Sequence, residues 1–138
     1  MHTIKNWAEY RSKDPNTKVG ACVYDVETGG MFLGYNGFNK GMADLKSVWD
    51  NRDHTQAKNK YAFVVHAETN AIRKAQMALG LLDCCTLYVT HFPCHNCMKD
   101  TIVPSGIKNI VYGIHYPIDN ITVDMASMHD IHFERLEV

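Results

Sequence analysis

Two short clusters, His66-Ala67-Glu68 and Pro93-Cys94-His95-Asn96-Cys97, constrain this chain more than anything else in it. One imidazole and two thiolates make up three of the four ligands of a tetrahedral zinc. The fourth position is left for water, which distinguishes a catalytic zinc site from a closed structural one. For those atoms to meet, the fold must bring together two segments that lie far apart in sequence. Ala67–Leu79 is rich in helix formers and stops at Gly80, and Pro93 precedes a second helix expected from about Cys94 to Val103, closed by Pro104-Ser105-Gly106. The ligands therefore open two helices, where the helix dipole favours thiolate. Cys94 and Cys97 have the spacing that faces one side of a helical turn. Glu68 stands beside a ligand without being one and is left to move protons. A structural site needs a fourth protein ligand. His91 and His95 are near in sequence, but a histidine inside Cys-x-x-Cys more naturally faces away.

The rest of the chain supplies a scaffold. Residues 3–11 space Ile4, Trp7, Ala8 and Tyr10 as an amphipathic helix does, and Pro15 ends it. Val19–Tyr24 and Met31–Asn36 flank Glu27-Thr28-Gly29-Gly30, a hairpin. From Met42 to Lys60 the pattern is poor, apart from a helical turn at Leu45–Trp49, and the stretch reads as a functional or mobile insertion. Strands are expected at Thr86–Thr90, Asn109–Tyr112 and His132–Leu136, with a short helix near Asp124–Met128. This alternation implies one α/β domain with helices layered on a sheet.

At 138 residues the chain suits one domain with a substantial core. Formal net charge is −1, from 14 basic and 15 acidic residues, so no global basic field points to nucleic acid. The end of the chain, Asp124–Val138, carries Asp124, Asp130, Glu134 and Glu137 against Arg135, which disfavours a tRNA substrate. No apolar run approaches a membrane span, and no signal peptide is expected. Five cysteines without an export signal argue against a disulfide framework and for a cytoplasmic setting. Cys22, Cys84 and Cys85 are expected as buried free thiols.

The H-x-E…P-C-x-x-C arrangement resembles that of the zinc deaminases. Ser12-Lys13-Asp14-Pro15-Asn16-Thr17-Lys18-Val19-Gly20, Gly34-Tyr35-Asn36-Gly37-Phe38, Val65–Ile72 and Pro93–Cys97 resemble, in order, the four motifs of deoxycytidylate (dCMP) deaminases of the compact bacterial and phage type. The resemblance implies a three-layer α/β/α fold with a mixed five-stranded sheet. It further implies zinc on His66, Cys94 and Cys97, and Glu68 as proton shuttle in the conversion of dCMP to dUMP. Substrate contacts are implied at Asn36, Ser12, Lys13, Ala67 and Tyr116, with Ser12 and Lys13 near the 5′-phosphate. The alternatives to these contacts are a turn residue before Gly37 for Asn36 and a solvated surface charge for Lys13. Gly34, Tyr35, Asn36, Gly37 and Phe38 are implied in an allosteric nucleotide site for activating dCTP and inhibiting dTTP, with Mg2+ accompanying the triphosphate, in a homohexamer. The chain departs from the family at Pro117, where a basic residue is usual, and after Phe38. The insertion lacks cysteine, so no second cysteine-bound zinc is expected there, and His54 is expected at the surface. The rival readings are a tRNA adenosine, nucleoside or free-base deaminase, and a non-catalytic nucleotide-binding zinc module.

Overall fold

A computed structural model describes residues 1–42, 44–56, 59–114 and 118–136. Helix α1 (His2–Arg11) leads into the hairpin β1 (Gly20–Asp25) and β2 (Met31–Tyr35). Two single-turn helices follow, α2 (Lys46–Trp49) and α3 (Lys60–Phe63), and then the long α4 (Ala67–Leu79). Strand β3 (Cys85–His91) runs to a composite helix made of α5 (His95–Cys97), a π-helical turn (Met98–Ile102) and α6 (Val103–Ser105). Strand β4 (Asn109–Ile114), α7 (Asn120–Met128) and β5 (His132–Arg135) complete the order.

The sheet has five strands in the order β2-β1-β3-β4-β5. Strand β1 is antiparallel to both neighbours, while β3, β4 and β5 are mutually parallel, so the sheet is mixed as expected. The alternation of side chains along each strand sorts the two faces. Ala21, Val23, Leu87, Val89 and Ile110 point toward α4 and the composite helix, where Ile72, Met98 and Ile102 complete a core of fully buried apolar side chains. Burying each of the larger ones contributes about 1.5–3 kcal/mol. The opposite face receives α1. A Cβ on Gly20 would meet Ile4 and Ala8, whereas one on Gly34 would lie 2.5 Å from Ala71 N and 2.6 Å from Ala67 O. Gly34 therefore lets the first turn of α4 lie directly against β2.

Several elements differ from the sequence reading. The composite helix continues through Pro104 to Ser105. Proline has no N–H to donate, and the wider π turn stands just before it. Helix α7 begins at Asn120, four residues before the expected start, because the Asp119 carboxylate caps it by accepting from Ile121 N at 3.0 Å and Thr122 N at 3.4 Å. In the described parts of the stretch read as an insertion, Val48, Trp49, Asn59 and Lys60 are buried and the Trp49 ring is stacked on Phe38 at 4.1 Å. Cys22 and Cys85 are buried thiols, but Cys84 is exposed, its thiol donating to Glu27 at 3.4 Å. Its position just before β3 puts it in a surface turn rather than under the sheet. Among the described residues no helix is long and apolar enough to cross a membrane.

Candidate metal and catalytic site

His66 is the N-cap of α4 and Cys94 the N-cap of α5, yet neither side chain caps its helix. Positions that usually hold Ser, Thr, Asp or Asn instead aim their side chains at each other. His66 Nδ1 lies 3.1 Å from Cys97 Sγ and 3.6 Å from Cys94 Sγ, and the three ligand atoms all fall within 4.8 Å of one another. His66 is exposed, Cys94 half-buried and Cys97 buried. An imidazole nitrogen and two sulfurs converging from two helix starts form a donor set that fits zinc with an open position. The thiols share their protons unequally. A hydrogen bond from Cys97 brings Cys94 down to about 4 against the opposing effect of burial, and that same bond, reinforced by burial, pushes Cys97 up. His66 is raised, first by its bond with Cys94.

Glu68 and Ala67 follow in the first turn of α4, both buried. Burial raises the Glu68 carboxyl against the pull of His66, giving a group with proton affinity suited to accept and return a proton. Glu68, Ala67, His66 and Cys94 line a cleft of about 240 Å³.

The structure distributes the other expected residues unevenly. Asn36 lines that cleft, but its amide is fully engaged. Its oxygen accepts from Ser12 Oγ and Val19 N, both at 2.9 Å, while its nitrogen donates to Thr17 O at 2.8 Å and Asp14 Oδ2 at 3.2 Å. Ser12 is buried beneath it, its single O–H hydrogen shared between Asn36 Oδ1 and the Asn36 carbonyl at 2.8 Å, so its hydroxyl organises the loop. Lys13 lines a different cavity, with Arg11, Tyr35, Gly37 and Phe38. Neither Gly34 nor Gly37 needs a positive φ. Gly37 is instead held by a two-way bridge to Val65, with N···O distances of 3.1 and 2.7 Å. Tyr116 and Pro117 lie outside the described residues.

Among the cleft residues that the sequence did not announce are Asp14, Lys60, Arg52 and His91. Asp14 and Lys60 form an ion pair at 2.9 Å with both side chains 5% exposed, and Lys60 also donates to Asn16 at 3.1 Å. No local pattern announces a pair so distant in sequence. Arg52 lines the cleft from the stretch read as an insertion. His91, the last residue of β3, faces the cleft side of the sheet, and burial lowers its pKa. Thr90 Oγ1 accepts from Gly20 N at 3.0 Å and lies 2.8 Å from His91 Nδ1, where the imidazole tautomer decides which of the two donates.

A model of the cytidine and deoxycytidylate deaminase zinc-binding region matches residues 1–114, and the chain belongs to that family. Within it, the chain is similar to deoxycytidylate deaminases. The human protein of that name is 36% identical over 116 residues, covering 77% of this chain and 64% of the relative. A probable deoxycytidylate deaminase of Caenorhabditis elegans is 41% identical over 102 residues, covering 74% and 49%. The chain thus spans less than two thirds of these relatives' own length. The crystal structure of dCMP deaminase from the cyanophage S-TIM5, in complex with dCMP and dUMP, matches with a TM-score of 0.74 at 27% identity, over 98% of this chain and 92% of that one.

Proposed function

We propose that this protein hydrolyses dCMP to dUMP and ammonia, holding zinc with His66, Cys94 and Cys97. The observation that carries this reading is the convergence of those three ligands with the buried carboxyl of Glu68 in one cleft. Zinc bound there would supply Lewis acidity that makes water a nucleophile at neutral pH. Glu68 takes one proton from the attacking water and passes it to ring nitrogen 3, then takes the second from the new carbon-4 hydroxyl and gives it to the amine, which leaves as ammonia while the carbonyl forms. Ala67, with no exposed surface, fixes the first turn of α4 and so the direction of Glu68. The similarity to an enzyme crystallised with dCMP and dUMP supports this substrate over cytosine or an anticodon loop.

Ultraviolet absorbance tests the reading directly, with the protein offered dCMP, deoxycytidine, cytosine and a tRNA anticodon stem. Turnover is expected on dCMP, lost on removing zinc with a chelator and restored by adding zinc back. Faster turnover of cytosine or of the tRNA stem would sink the substrate assignment.

The reading extends to control by nucleotides. Beside the Gly34–Phe38 loop lie two adjoining cavities of about 510 and 400 Å³ that share Arg11, Tyr35, Gly37, Phe38 and Asp44. Lys13 and Lys40 add positive charge, and the Arg11 guanidinium sits 5.0 Å from the Trp7 ring and 5.7 Å from the Tyr35 ring. Basic groups with aromatic faces suit a triphosphate carrying a base, and Asp44 suits an accompanying Mg2+. We expect dCTP to lower the dCMP concentration needed for half-maximal rate and dTTP to raise it. Rates indifferent to both would remove this part of the proposal. A homohexamer and a cytoplasmic setting belong to the same reading.

A further inference from the structure

A nucleoside monophosphate needs a cation at the far end of the cleft from Glu68, and the structure narrows the choice. Among the described residues lining the cleft, full positive charge comes from Lys60 and Arg52. An ammonium has three N–H groups, and those of Lys60 meet Asp14 Oδ1 at 2.9 Å, Asp14 Oδ2 at 3.1 Å and Asn16 Oδ1 at 3.1 Å. Taking up a phosphate there would mean breaking a buried ion pair. Lys13 faces the other cavity. Arg52 is exposed at the cleft mouth, and its planar fork matches two phosphate oxygens at once.

We propose that Arg52, oriented by Tyr61, receives the substrate's 5′-phosphate and so selects nucleotides over nucleosides. This rests on the reading of the cleft as a dCMP-deaminating site. Arg52 Nε donates to the Tyr61 hydroxyl at 3.3 Å. Tyr61 is itself held, its ring stacked on His54 at 4.0 Å and 7° and covered by the Lys60 ammonium at 5.3 Å. The loop carrying Arg52 is closed on both sides. Lys60 N donates to Asn51 O at 2.9 Å, Asn51 Nδ2 to Gln56 Oε1 at 2.9 Å, and Thr55 N to Asp53 Oδ1 at 2.9 Å. The backbone beside Arg52 is thus tied to α3, which lowers the ordering cost of binding. Because Lys60 already neutralises Asp14, the carboxylate lining the same cleft does not repel the phosphate.

The test compares zinc-loaded wild type with Arg52→Gln and Arg52→Lys, measuring equilibrium binding of dUMP and of deoxyuridine alongside turnover of dCMP and deoxycytidine. Arg52→Gln is expected to weaken dUMP roughly 10- to 100-fold, the range of a charge-assisted hydrogen bond, and to raise KM for dCMP similarly. Deoxyuridine binding and kcat/KM for deoxycytidine should not change. Arg52→Lys should recover part of the loss, since it restores charge without the fork. Equal weakening of dUMP and deoxyuridine, or unchanged dUMP affinity, overturns the assignment. Arg52-dependent dUMP binding in a wild type that does not deaminate dCMP upholds the phosphate site and refutes the deaminase reading. A wild type that binds dUMP no better than deoxyuridine refutes the phosphate site before any variant is made.

Discussion

Glu68→Gln should bind zinc as the wild type does while turning over dCMP about 10²- to 10⁴-fold more slowly, the range by which a positioned acid–base group accelerates a reaction. Glutamine keeps the shape and the hydrogen-bonding capacity of a side chain that is only 4% exposed, so packing at the start of α4 changes little. It cannot take up and release a proton, and the proposed reaction needs one group to do so more than once. The three atoms proposed to hold the metal belong to other residues, so metal content separates a lost proton shuttle from a lost site. Stopped-assay kinetics with metal analysis on the same sample measure both. Near-normal turnover with zinc in place would remove Glu68 from the mechanism.

The second large effect is on stability. Lys60→Ala leaves the Asp14 carboxylate inside the protein with the neutral donors Asn16 N at 2.9 Å, Thr17 N at 3.3 Å and Asn36 Nδ2 at 3.2 Å. Removing one partner of a buried ion pair costs about 3–5 kcal/mol because the other charge stays desolvated. For a domain of this size that corresponds to a fall in Tm of roughly 10–15 °C. Replacing both partners, as Asp14→Leu with Lys60→Met, should recover much of the loss, since the desolvated charge is gone. Thermal unfolding of the two single variants and the double variant measures the coupling. Additive losses would show that the pair does not act as a unit. The double variant also loses the anchor of Asn36, so restored stability need not restore activity.

The sequence was most legible where information is local. Thr86–Thr90 and Asn109–Tyr112 are short apolar runs rich in β-branched residues, and both lie within strands of the structure. The two clusters stand at helix starts, the first opening a run of helix formers that Gly80 ends and the second following Pro93. Legibility failed where a residue's partner lies far away. Lys60 looked like the end of a polar insertion, whereas it opens α3 and is buried on Asp14. Ser12 and Lys13 are neighbours expected to share a phosphate, but one turns inward to Asn36 and the other outward to a separate cavity. Nor could the Gly34-Tyr35-Asn36-Gly37 block disclose its mechanics. Gly34 marks a close approach of helix to strand, and Asn36 is a four-bonded clamp on the loop that begins at Ser12.

The bridge between Gly37 and Val65 joins the loop beside the basic cavity to the residue immediately before His66. Two backbone hydrogen bonds act there as a rivet between the two cavities. A ligand that drags Gly37 must either snap that rivet or carry Val65, and with it the His66 imidazole, along. The lever arm is one peptide long, so a displacement too small to repack the core would still be felt at the backbone of His66.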